Sequence, residues 1–214
     1  MAKPGRRGQS RPRNDTQSSA TRQSLVDAAI ESLRIDGFSG ASARTIAARA
    51  NSNQGLVFYH FGSVTDLLLA ALDEVSRRRM QRYAAAVGAA ASPEQLTAVA
   101  AQIFREDLDE GYVTVLVEMM AGATSSPTLG AAVAERIAPW LSFTRQVIEQ
   151  ALDGTPLASI VPTEDTAYAV VALYLGLEML SHLDGDRSRA LALFERANTL
   201  ATVLTSGRSS PQEA

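Results

Sequence analysis

An all-α fold is what this 214-residue chain predicts, and three observations carry the prediction. Apolar residues recur every three or four positions along most of its length; serine, proline and glycine fall where those runs begin and stop; and no sustained strand-type alternation competes. The expected architecture is an amino-terminal three-helix head containing a helix-turn-helix, followed by a larger helical bundle, about nine helices in total. Residues 1–17 are expected as a disordered basic arm, 18–62 as the head, 63–207 as the bundle and 208–214 as a disordered tail.

Taken in order, the stretch from Pro4 to Ser18 is dominated by Gly, Pro, Ser, Gln and Arg and carries too little apolar surface to offset the entropy of ordering. Leu25, Ala28, Ala29 and Leu33 mark the first helix, which ends at the Gly37-Phe38 pair. Ser42 is a good N-cap for a second helix whose Ile46, Ala47 and Ala50 form a small apolar stripe. Asn51 stands where the chain must reverse, and asparagine tolerates a left-handed backbone better than most residues. Ser52 or Asn53 then caps a third helix with Val57 and Phe61 facing inward and Gln54, Gly55, Tyr59 and His60 outward. A fourth helix starts near Ser63, places Asp66 at its positive end and runs through Leu68, Ala71, Leu72 and Val75 towards Gly88. Further helices are expected from Pro93 to Leu108, Tyr112 to Thr124, Pro127 to Leu152, Thr163 to Leu183 and Arg187 to Thr205. Tyr112 to Val117 is the most strand-like segment, but its continuation through Glu118-Met119-Met120-Ala121 favours helix.

Two short helices joined by a tight turn, the second polar and aromatic outside, suit a unit that lays its second helix in the major groove of DNA. Opening that helix, Gln54 can pair with adenine, Gly55 permits close approach and Leu56 either touches a thymine methyl or packs internally. Tyr59 and His60 are placed to meet phosphates.

This block, roughly residues 18–72, resembles the TetR family of transcriptional repressors: an amphipathic helix ending at Gly37-Phe38, a capped helix with Ile46-Ala47, and an aromatic-rich helix ending in Phe61. The resemblance implies a dimer that binds a palindromic operator and is released by a small-molecule effector. It also implies a DNA-contacting set of Ser42, Arg44, Asn53, Gln54, Gly55, Leu56, Tyr59 and His60, with Arg44 reaching a base edge. The chain departs from the pattern where Phe58 stands for a common Tyr and Val64 for a common Lys, so it lacks two groups that commonly meet phosphates.

Charge is segregated. Through residue 62, nine basic residues (Lys3, Arg6, Arg7, Arg11, Arg13, Arg22, Arg34, Arg44, Arg49) face four acidic ones (Asp15, Asp27, Glu31, Asp36), a balance of +5; the remainder holds −8 of a total of −3. A basic head on an acidic body suits a protein whose head meets phosphates. The arginine-rich arm is expected to add DNA contacts. The chain has no cysteine, which excludes disulfides and thiolate chemistry, and His60 and His182 are its only histidines. With no HExxH, P-loop or glycine fingerprint after a strand, no enzyme activity, cofactor or metal is expected. No apolar run approaches the length of a bilayer span, so a cytoplasmic location and no membrane partner are expected.

The bundle is expected to dimerise and to bind a small molecule. Ala167, Val170, Val171 and Tyr174, with Leu191, Phe194, Asn198, Ala201 and Leu204, form long faces that either close a four-helix bundle between two copies or pack within one. Glu118, Tyr168, Tyr174, Glu178 and His182, polar groups in apolar runs, are the candidate effector contacts. Glu178 and His182 at i,i+4 read as a local ion pair or helix-end contact rather than half a metal site, and Trp140, Phe143, Met119 and Met120 as core or interface packing unless a cavity lies beside them. The alternative is a DNA-binding protein that acts without an effector.

Overall fold

The computed structural model describes residues 12–206, and among them the chain forms nine α-helices and one short 3-10 helix, with no strand. Two compact units divide at Ala71 and Leu72.

The amino-terminal unit contains α1 (Pro12–Gly40), α2 (Ala43–Arg49), α3 (Gln54–Phe61) and the first turns of α4 (Val64–Gly88). Helix α1 begins at Pro12, inside the stretch expected to be disordered up to residue 17; proline is compatible with a first helical turn, where its missing N–H has no partner to lose. The earlier residues of the arm, and the tail at 208–214, lie outside the described residues. Gly37 breaks the helical geometry of α1 with a φ of 69°, a conformation that favours glycine. Leu25, Ala29, Leu33, Ile46, Val57, Leu67 and Ala71 are buried, the last two because α4 starts inside the head's own core. The boundary expected at 62 and 63 therefore falls later.

The second unit holds the rest of α4 with α5 (Pro93–Glu110), α6 (Tyr112–Ala123), α7 (Pro127–Leu152), α8 (Thr163–Asp184) and α9 (Ser188–Ser206), plus a 3-10 turn at Pro156–Ser159. Ser92 and Ser126 cap α5 and α7, accepting from Gln95 N and Leu129 N, each with proline next in the chain. Gly111 closes α5 in the left-handed region, as expected of a C-terminal glycine.

The faces expected either to dimerise or to pack within one chain are partly taken up within the chain. Ala167 is buried, Val170, Val171 and Tyr174 line a cavity, Phe194 packs on Phe104 with ring centres 5.3 Å apart, and Asn198 Nδ2 donates to the Glu94 carbonyl at 3.4 Å. Packing of α5 against α9 covers part of the α9 face, while Val170 of α8 stays 44% exposed. What α8 leaves outside is another stripe, including Tyr168, Leu173, Leu180 and Leu183. By length and composition, α8 is also apolar enough to cross a membrane, with a mean hydropathy of 1.3 over its best window, contrary to the expectation that no segment approaches this.

Candidate nucleic-acid interface and ligand cavity

Side-chain caps fix both helices of the helix-turn-helix. Ser42 Oγ accepts from Thr45 N at 3.1 Å and lies 2.8 Å from Thr45 Oγ1, while Asn53 Oδ1 accepts from Gly55 N at 2.7 Å. Between them Asn51 takes a φ of 48°, the one left-handed non-glycine among the described residues. Val57 anchors α3 inward with no exposure, so Gln54, Gly55, Phe58 and Tyr59 face solvent, Tyr59 at 76 % exposure. Leu56, His60 and Phe61 are half-buried, and the Tyr59 ring meets His60 edge-on at 4.9 Å.

The head's arginines divide by role. Arg49 Nη1 donates to Ser32 Oγ at 2.5 Å and to Asp36 Oδ2 at 2.8 Å, tying α2 to α1. A Cβ added at Gly40 would sit 2.7 Å from Asp36 Cβ, so glycine there keeps the Arg49 acceptor in place. Arg22 lies over the Phe61 ring, 4.8 Å from its centre. Arg44 is exposed in the first turn of α2, where no acidic residue accompanies it. A cation at a helix N-terminus is unfavourable alone and gains an interaction when an anion or a base acceptor arrives.

In the body, α4, α5, α6, α7 and α8 enclose a cavity of about 200 Å³. Leu72 and Val75 of α4, Leu96, Val99 and Ile103 of α5, Leu116 of α6, Phe143 and Val147 of α7, and Val170, Val171 and Leu175 of α8 form its apolar wall. The polar groups of the wall are fewer: Ser76, Arg79, Tyr83, Tyr112, Arg136, Trp140, Thr144 and Tyr174. Three of them are engaged apart from the Arg79 cluster. Trp140 Nε1 donates to Ser76 Oγ at 2.8 Å, and Arg136 pairs with Asp73 at 2.8 Å while Nη1 donates to the Ala132 carbonyl at 2.7 Å.

Arg79 carries the cavity's buried charge. Its Nε and Nη2 donate to Asp107 Oδ2 at 3.1 and 2.6 Å, and Nη2 also donates to Glu178 Oε1 at 3.1 Å. The hydroxyls of Tyr83 and Tyr174 both donate to Asp107 Oδ2 and stand 2.5 Å from each other. The guanidinium lies 5.2 Å from the Trp140 ring centre and 5.8 Å from that of Tyr83. Burial opposes its charge, yet Glu178, Tyr83 and Asp107 more than offset this and hold the Arg79 pKa well above the usual value. Burial also raises both tyrosines. Glu178 is pushed up to about 8, by burial first and by the facing Asp107 carboxyl, against the pull of Arg79. Both effects favour its protonated form. That proton is what the geometry requires, because Asp107 Oδ1 and Glu178 Oε2 are buried without other partners.

Known proteins resemble the chain in both units. The family profile described as bacterial regulatory proteins, tetR family, matches residues 25–71, from the buried face of α1 to the first turns of α4. The head thus carries the DNA-binding profile of the TetR family. HTH-type transcriptional regulators of Mycobacterium tuberculosis and Mycobacterium bovis are 28% identical to it over 149 residues, covering 70% of this chain and 74% of theirs. A solved TetR-family member from Streptomyces coelicolor aligns with a TM-score of 0.63 at 27% identity, covering 83% of this chain and 97% of that one. The multidrug binding protein EbrR, solved with imidazole, aligns with a TM-score of 0.59 at 26% identity, covering 82% and 93%. A TetR-type transcriptional regulator with a DNA-binding helix-turn-helix head accounts for all of these.

For this TetR-type chain, the expected DNA contacts Ser42, Arg44, Asn53, Gln54, Gly55, Leu56, Tyr59 and His60 all fall on the helix-turn-helix, though the Ser42 hydroxyl and Asn53 Oδ1 are occupied by capping. Of the expected effector contacts, Tyr174 lines the cavity and Glu178 lies behind Arg79. Tyr168 and His182 are exposed on α8, before and beyond its cavity-lining stretch from Val170 to Leu175, and half-buried Glu118 is outside the wall. Glu178 pairs with Arg79 across helices rather than with His182 along its own. Trp140 and Phe143, read as packing, line the cavity. Arg79, Tyr83 and Asp107 escaped the sequence reading altogether. Their signal was spacing: Arg79 and Tyr83 continue the stripe of Leu72 and Val75, and Asp107 continues that of Ala100, Ile103 and Phe104, so all three fall on buried faces.

Proposed function

We propose that the chain is a repressor that binds a palindromic operator as a homodimer and leaves it when a small-molecule effector enters the body. The observation that carries this reading is the double membership of α4, whose Leu67, Leu68 and Ala71 belong to the head's core and whose Leu72, Val75, Ser76 and Arg79 line the cavity. An effector that repacks Arg79 or Trp140 acts on the helix that enters the reading head, and so favours a spacing of heads that does not match both half-sites. Arg44 and Gln54 read base edges, Gly55 and Leu56 approach the groove, Tyr59 and His60 hold phosphates, and Ser42 and Asn53 cap the helices that present them. The second copy covers the exposed apolar stripe of α8, whose Leu173, Leu180 and Leu183 are more than half exposed in one chain. EbrR, named for multidrug binding, gives the ligand reading support from a protein of the same fold. The site of action is the cytoplasm, and no catalysis is involved.

Genomic footprinting with the full chain is the test. Protection of paired, inverted half-sites, abolished on addition of a molecule that also raises the melting temperature, is expected. Binding to a single unpaired site, or operator binding that no cavity ligand alters, would refute the proposal.

A further inference from the structure

On the reading of the body as an effector sensor, the cavity's charge balance narrows the effector's chemistry. Arg136 is held by Asp73 and the Ala132 carbonyl, and Ser76 accepts from Trp140, so Arg79 is the buried guanidinium at the wall. Its Nε and Nη2 edge is taken by Asp107 and Glu178; Nη1 makes no hydrogen bond among the described residues, and the guanidinium rests against Trp140. Behind it, two carboxyl groups face one guanidinium, and each keeps one buried oxygen without a partner. Two ionised carboxylates would leave those oxygens repelling each other out of reach of water. One proton held between them satisfies both and leaves one negative charge opposite the single positive charge of Arg79.

The floor of the cavity is then neutral, and the remaining wall is largely apolar. An ion entering it gives up its hydration and meets no opposite charge that is not already paired, whereas a neutral acceptor can use the free Arg79 N–H. We propose that the effector is an uncharged, mostly apolar molecule of about one ring, bearing a single hydrogen-bond acceptor such as a carbonyl that receives Arg79 Nη1 beside Trp140. The volume agrees, since an apolar cavity of ~150 Å³ holds benzene and this one measures about 200 Å³.

Trp140 is the only tryptophan of the chain and lines the cavity, so its emission reports occupancy without a label. The full-length protein at pH 7 is titrated with four probes of similar size: cyclohexyl methyl ketone, methylcyclohexane, cyclohexanecarboxylate and cyclohexylmethylammonium, with calorimetry as the second readout. The ketone should bind at least ten-fold more tightly than either ion and several-fold more tightly than the hydrocarbon. Equal or tighter binding of the carboxylate or the ammonium would overturn the neutral floor, and equal binding of methylcyclohexane would overturn the Arg79 contact. In each of those cases the cavity remains a ligand site and the sensor reading survives. If none of the four binds by either readout, the cavity is not a ligand site of this size and both the proposal and the sensor reading fall.

Discussion

Two side chains, one in each unit, lead to tests of the proposed function. In the head it is Arg44, exposed at a helix N-terminus that offers it no acid. If it reads guanine, Arg44→Ala should weaken operator binding by about 1–3 kcal/mol and relax specificity at one position per half-site. Binding-site selection with the variant checks this; equal weakening on operator and random DNA would make Arg44 a phosphate contact. In the body it is Glu178, held between Arg79 of α4 and Asp107 of α5, with Tyr83 and Tyr174 completing the cluster. Its folded pKa of about 8 lies above the ordinary 4.5, so the native state binds its proton more tightly than the unfolded chain does. The stabilisation is fully present below the unfolded value and is lost as pH rises through about 8. Urea midpoints should therefore fall between pH 5 and 8, and Glu178→Gln should flatten that fall. A wild-type midpoint that rises over the same range would show Glu178 to be ionised.

Among the elements, α1 and α3 show how local chemistry and packing share the work. Helix α3 has eight residues, too short to persist alone, and depends on the Asn53 cap and the buried Val57. Its exposed Phe58 supplies no hydroxyl to DNA, and Val64 at the start of α4 supplies no ammonium. The arginines ahead of α1 are the available replacement. Deleting residues 1–11, with Lys3, Arg6, Arg7 and Arg11, leaves α1 from Pro12 onward and should weaken DNA binding while keeping helicity. For every phosphate that the shortened chain no longer neutralises, the magnitude of the log–log salt slope should drop by about 0.9. An unchanged slope would show that the arm does not touch DNA.

At the scale of the whole molecule, the proposed reading of a palindrome needs a second copy, and the exposed stripe of α8 is where we place it. Leu173 and Leu180 are 60% and 58% exposed, and the space beside Gly176 between them is open, so that another helix can approach closely. Replacing both leucines with glutamate should convert the protein to a monomer in sedimentation and abolish tight operator binding. Helicity should persist, because neither side chain supports the monomer's core. A double variant that remains dimeric would place the interface elsewhere.

The sequence by itself determined the helices and the head. Capping serines, Asn51, Asn53 and the apolar stripe through Ile46 and Val57 act over a turn or two of chain, so their consequences were legible from spacing. The family resemblance was likewise carried by short-range features between Leu25 and Ala71. Which way the amphipathic faces of the body turn was decided only by tertiary structure. Helices α8 and α9 each have more apolar surface than one neighbour covers, and periodicity does not say whether Val170 or Leu173 meets the cavity or the outside. The same holds for the charge cluster. Asp107 and Glu178 lie 28 and 99 residues from Arg79 along the chain, and each of the three looks like an ordinary surface charge until packing removes water from all of them together. Desolvation is a property of the assembled helices, and it converts three common side chains into one buried, proton-holding network.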